Sequence, residues 1–162
     1  MRRPTFQQTR SILTISGGEI RHAFYTGPIV AYLYSRDTYN DWAVEAFSEV
    51  QPPVITCEAV LAEACFLIER NRWPATRVLE YALESELHIG LQLEREMAAI
   101  RVLMQRYANV PMSLADACLV RLAEMTDLPI CTLDRDFAIY RVNRRRPLTL
   151  ITPPSGRSLH EP

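Results

Sequence analysis

Glu63, Asp116, Asp134 and Asp136 stand in segments where an acid needs a reason. Asp116 lies in SLADACL (113–119), among small and apolar residues. Ionised Asp is among the side chains least often buried unless something pairs with it. In the helical register that includes VLAEA (60–64), Val60, Glu63, Ala64 and Leu67 fall at i, i+3, i+4 and i+7, so Glu63 shares the apolar stripe. In TLDRDF (132–137), Asp134 closes an apolar stretch and Asp136 follows two residues on. Carboxylates drawn together repel and lose water, and a cation stabilises such a cluster. Hard oxygen donors suit Mg²⁺ or Mn²⁺, which commonly serve phosphate chemistry.

Each acid also has an ordinary structural reading, and the sequence leaves both open. Ser113-x-x-Asp116 fits a capping box at a helix start. Glu63 can snorkel to water from the edge of its stripe. Asp134 and Asp136 can cap the turn that follows them.

The elements that must position these acids alternate in type. A strand over Ile20–Tyr25 runs into the sharp turn Thr26-Gly27-Pro28 and a helix through Tyr34. A helix from Asn40 is stopped by Gln51-Pro52-Pro53, and Val54–Thr56 is a β-branched strand. Glu58–Arg70 is helical, and Pro74 opens a further helix through about Leu83. Leu87–Leu91 reads as a strand or an irregular connector. Glu94–Tyr107 carries Met97, Ile100, Leu103 and Met104 at helical spacing, and Ser113–Met125 is the next helix. Leu128–Leu133 is an apolar strand, Asp136–Tyr140 a helical turn and Pro147–Ile151 a last strand. This order predicts an α/β domain whose central, mostly parallel sheet is flanked by helices. In such sheets ligands bind outside the carboxyl ends of the strands, where Asp134 is expected to sit. The expected organisation is an N-terminal extension over 1–18 with a short strand at Ile12–Ile15, one domain over 19–152, and a flexible tail over 153–162.

Composition narrows the partners. At 162 residues, 48% hydrophobic and 23% charged, the chain reads as one globular domain. Its net charge of −1 provides no global pull toward nucleic acid or membrane, so any such contact needs a local patch. Arg141, Arg144, Arg145 and Arg146 offer one, as an RNA-backbone contact or as a solvated turn. Cys57, Cys65, Cys118 and Cys131 all lie in apolar segments without a C-x-x-C pair, and read as reduced core thiols. That suits a cytoplasmic protein, as does the want of a membrane-length apolar run or a continuous apolar signal segment. Trp42 and Trp73 read as packing or partner surface.

VLAEA, SLADACLVRLAE (113–124) and TLDRDF, with YTGPIVAYL (25–33) ahead of them, resemble the PIN domain family in that order. The VapC-type toxin ribonucleases are the branch they are most similar to, over about residues 20–152. The resemblance implies a Rossmann-like three-layer fold and Mg²⁺- or Mn²⁺-dependent cleavage of RNA. It places Glu63, Asp116 and Asp134 at catalytic, metal-binding positions, with Asp136 as an auxiliary ligand. Thr26 and Ser113 match polar neighbours on the substrate side, where Arg144 and Arg145 are the candidate backbone contacts. It also implies an antitoxin protein as partner, and a homodimer is a candidate assembly.

One position departs from the family. Its first acid stands directly before the Thr-Gly-Pro turn, and here that residue is Tyr25. A phenol with a reference pKa of about 10 is neutral at pH 7 and a poor ligand for a hard cation. Two functions remain: a metal-dependent endoribonuclease, or a degenerate PIN domain that binds RNA or protein and cleaves weakly or not at all.

Overall fold

The computed structural model describes residues 14–15, 18–19, 22–50 and 53–154. A short antiparallel pair, β1 (Thr14–Ile15) and β2 (Gly18–Glu19), precedes the main sheet. Then follow β3 (Ala23–Phe24), α1 (Thr26–Leu33), α2 (Asn40–Glu49), β4 (Val54–Thr56), α3 (Glu58–Arg70), α4 (Thr76–Glu84) and β5 (Leu87–Ile89). The second half comprises α5 (Leu93–Arg106), α6 (Leu114–Thr126), β6 (Ile130–Cys131), a 3₁₀ turn (Arg135–Ala138), β7 (Arg141–Val142), β8 (Arg146–Pro147) and β9 (Leu150–Ile151).

Five strands form one all-parallel sheet in the order β5-β4-β3-β6-β9. The central strands are buried at every residue, as sheets covered on both faces require. The chain builds outward from β3 to β5, then returns through α5 and α6 to place β6 on the other side of β3. The strand order therefore reverses between β3 and β6. The carboxyl ends of these strands make the crevice in which open α/β sheets bind ligands.

Several expected elements are shorter than the sequence suggests, for reasons of hydrogen bonding. Leu128–Leu133 reduces to β6, because Pro129 has no N–H to give, although its carbonyl still accepts from Ala23 N–H at 3.0 Å. Pro147–Ile151 divides in two. Arg146–Pro147 turns back on Arg141–Val142 as an antiparallel hairpin, and only Leu150–Ile151 joins the main sheet. Left-handed Asn143 and Arg144 (φ 48° and 67°) make that hairpin turn. Leu87–Leu91 resolves as a strand that ends when Gly90 N–H donates to the Thr56 carbonyl at 2.9 Å. The strand expected over Ile20–Tyr25 is Ala23–Phe24, with residues 20–21 outside the described residues. The outer parts of the expected N-terminal extension and tail, 1–13 and 155–162, also lie outside them.

Gly27 ties α1 to the end of β6. A Cβ placed on it would meet the Leu133 Cβ at 3.2 Å, so the helix start presses on the residue that precedes Asp134. Gly27→Ala is expected to push these segments apart and destabilise the fold by about 1–3 kcal/mol, the usual range for overpacking. Urea denaturation checks this; an unchanged midpoint would show that the strand end yields without cost.

Candidate active site

Ser113 caps α6, and its side-chain oxygen accepts from the Asp116 N–H at 3.1 Å while Asp116 Oδ2 accepts from the Ser113 N–H at 2.7 Å. The capping box is present, yet it does not account for the whole residue. Asp116 is only 3% exposed, and its Oδ1 is buried without a hydrogen-bond partner. Capping groups ordinarily keep their free oxygen in water, whereas an unmatched buried polar atom costs roughly 1–3 kcal/mol. Glu63 approaches from α3, where its Oε2 accepts from the buried Thr26 hydroxyl at 3.1 Å. Asp134 closes the set from the end of β6. Its Oδ1 accepts from Asp136 N–H at 2.8 Å, and its own N–H donates to Thr132 Oγ1 at 3.0 Å. One oxygen of each acid is thus held by a local bond.

Their titration reports the convergence. Burial pushes the Glu63 carboxyl up, and the charges of Asp116 and Asp134 add to it against the Thr26 hydroxyl. Burial also pushes Asp134 up, helped by the charges of Asp136 and Asp116 and opposed by the Asp136 N–H. Tyr25 stands among all three acids. Burial first, then hydrogen bonding to Asp116, then the charges of Asp116, Glu63 and Asp134 drive its phenol far above the ordinary value of 10.0. Asp116 Oδ1 itself has no partner within hydrogen-bond geometry among the described residues. The Tyr25 ring packs on Phe137 with centroids 5.0 Å apart, and Phe137 meets Tyr140 at 5.3 Å.

Tyr140 is the residue that the sequence did not single out. It is fully buried, its hydroxyl has no partner, and after burial the charges of Asp116, Asp136 and Asp134 oppose its ionisation. Its only signal was a place four residues after Asp136 in a segment read as a helical turn. Arg144 and Arg145 are not brought to the cluster. They sit on the β7–β8 hairpin, where Asn143 N–H donates to Glu124 near the far end of α6. Eight helical residues separate Glu124 from Asp116, about 12 Å along the axis.

A family model for the PIN domain matches residues 26–143. The chain belongs to the PIN domain family. Among solved structures it is similar to VapC20 of Mycobacterium tuberculosis, described as a sarcin-ricin loop cleaving toxin. The TM-score is 0.66 at 18% identity, over 73% of this chain and 93% of that one, a likeness of fold. No curated protein sequence gives a significant match. In this PIN domain, Tyr25 is the residue at the end of β3, beside the acids that α3, α6 and β6 bring together.

Among the described residues, no three acids, histidines or cysteines stand close enough to ligate one ion together. The orphaned Asp116 Oδ1 and Tyr140 hydroxyl nevertheless leave buried oxygen facing the cluster. Mg²⁺ commonly keeps several waters and uses one or two carboxylates, so this oxygen-only set fits a partly hydrated ion.

The raised carboxyls generate a pH test. Each contributes stability that is fully present below its ordinary value, 4.5 for Glu63 and 3.8 for Asp134, and lost as pH rises through the raised folded value. Replacing both by neutral isosteres removes that loss. In EDTA, the Tm of Glu63→Gln/Asp134→Asn should gain on the parent as pH rises from about 4 toward neutrality. A Tm difference that stays constant with pH would mean the two acids feel neither burial nor each other.

Proposed function

We propose that this PIN domain is a metal-dependent endoribonuclease of the VapC type. The observation that carries the reading is Asp116, buried with an unpaired Oδ1 at the switch point of the sheet, with Glu63 and Asp134 converging on it. Mg²⁺ or Mn²⁺ held there by Asp116 with Glu63 or Asp134, and reaching the other acids and Asp136 through its waters, would polarise a phosphodiester and lower the pKa of an attacking water. The chain's own residues prepare that site. Thr26 orients Glu63, Ser113 fixes Asp116, and Thr132 with the Asp136 N–H fixes Asp134. The upward shift of Glu63 and Asp134 is in the direction that proton acceptance near neutral pH requires.

RNA is the substrate this reading assigns, in keeping with VapC20, a toxin that cleaves the sarcin-ricin loop. An antitoxin protein is the proposed partner, and the exposed Met97, Met104 and Leu114 on α5 and the start of α6 offer apolar surface for it or for a second copy. No helix among the described residues is long and apolar enough to cross a membrane. The described cysteines are free thiols, in keeping with a cytoplasmic site of action.

A second reading rests on Tyr25. The phenol removes one negative charge and one hard ligand from the cluster, and a PIN domain so altered could retain RNA or protein binding with little cleavage.

Cleavage of RNA with Mg²⁺ or Mn²⁺, abolished by EDTA, is the expected activity. Asp116→Asn should lower it by at least about a hundredfold, as losses at metal-site residues do, while the Asn amide oxygen can still accept from the Ser113 N–H, completing the capping box and preserving the Tm. Full activity in that variant would remove Asp116 from the chemistry. Tyr25→Asp separates the two readings. It should tighten Mn²⁺ binding about tenfold, or 1.4 kcal/mol, while the metal-free variant loses the ring packing on Phe137 and melts lower. Cleavage that appears only in Tyr25→Asp supports the degenerate reading, whereas a parent that cleaves as fast as the variant overturns it.

A further inference from the structure

A cavity of about 760 Å³ opens beside Asp134, within the range that holds small ligands. Tyr39, Asp41, Trp42 and Glu45 line one side, from the start of α2, and Asp134 and Arg135 line the other. None of the first four has a part in the acid cluster. Asp41 and Glu45 are four residues apart on one helix, so both carboxylates stand on the same face. Trp42 is half-buried, and among the described residues no aromatic ring packs on it. Trp73 differs: the Arg77 guanidinium lies 4.1 Å from its ring centre and Tyr34 meets it edge-on at 5.7 Å. A flat apolar face, two acceptor-only groups and a cation are therefore gathered around one space that shares a wall with the candidate active site.

We propose that this cavity is a nucleobase subsite for guanine, with the base stacked on Trp42 and read by Asp41 or Glu45. The inference rests on the ribonuclease reading, which puts the scissile phosphate at Asp134. An aromatic face stacks any base, so the selection must come from the carboxylates. A carboxylate only accepts hydrogen bonds. Guanine alone offers it two adjacent donors, N1–H and the N2 amino group, on its Watson–Crick edge. Adenine and cytosine set a ring acceptor beside their amino group, and uracil sets carbonyls on both sides of its one N–H; each of those acceptors faces the carboxylate unfavourably. Arg135, on the Asp134 wall, supplies the cation for the phosphate that the base carries. Two adjacent donors facing a carboxylate beside a stacking face favour a guanine nucleotide by geometry, whereas the three lining carboxylates, Asp41, Glu45 and Asp134, outnumber Arg135 and by charge alone would draw a cationic group such as arginine amide.

Trp42 fluorescence tests the inference without any cleavage. In Trp73→Phe, Trp42 is the one tryptophan left, and guanosine 5′-monophosphate should quench it saturably. Its affinity should exceed that of uridine 5′-monophosphate by about tenfold or more, the usual worth of a bidentate base contact. Asp41→Asn/Glu45→Gln, both at exposed positions, should abolish the preference while the Tm holds. Equal binding of the two nucleotides, or no quenching by either, overturns the subsite. So does quenching by arginine amide in place of the nucleotides, or RNA cleavage whose sequence distribution the double variant leaves unchanged. Selective quenching in a protein that cleaves no RNA would uphold the subsite and count against the ribonuclease reading alone.

Discussion

The fold is organised around a carboxylate that has been taken out of water. Asp116 sits in the first turn of α6, a helix whose residues from Ala115 to Val120 are all buried. An Asp there is tolerable only because the backbone already meets half of it. The Ser113 N–H satisfies Oδ2, and the positive end of the helix dipole favours negative charge there. Oδ1 has no such provision. Burial makes Glu63 and Asp134 hold their protons more tightly and keeps two phenols, Tyr25 and Tyr140, neutral, and the charge of Asp116 adds to that effect in all four. A cation would relieve all of these penalties together, which is why the cluster reads as a site and not as scattered caps.

Tyr25 shows how the chain accommodates an altered member of this set. A fourth carboxylate at the end of β3 would add repulsion that only bound metal could offset. The phenol instead contributes a donor toward Asp116 and a ring that continues into Phe137, Tyr140 and Tyr107, the last pair with centroids 5.0 Å apart. Packing and charge therefore favour Tyr25 in the metal-free protein. Metal affinity favours an acid.

Much of this was legible in the sequence because its cues are local. The Ser113–Asp116 capping box, the apolar stripe that carries Glu63, and the β-branched Val54–Thr56 each announce their element within a few residues. What escaped depended on contacts between distant segments. β6 and β9 were drawn too long, since ladder bonds begin or end at prolines and at partners dozens of residues away. Tyr140 looked like an ordinary aromatic until the 3₁₀ turn carried it toward Asp116. Arg144 and Arg145 stand on a hairpin whose left-handed turn at Asn143 and Arg144 sets it beside Glu124, near the far end of α6, a placement that no local cue announces. Trp42, read as packing or partner surface, does pack against the core while also lining a cavity between the start of α2 and the loop after β6, which nothing local could show.

The central claim is that Asp116, through its unpaired oxygen, makes this crevice a cation site. Electron paramagnetic resonance of Mn²⁺ titrated with protein counts the bound ion directly, because only free Mn²⁺ gives the sharp six-line signal. The parent should remove Mn²⁺ from the free pool saturably, and Asp116→Asn, folded to the same Tm, should leave the signal intact. Equal loss of signal with both proteins would contradict the account, and would place any bound Mn²⁺ somewhere other than the crevice between β3 and β6.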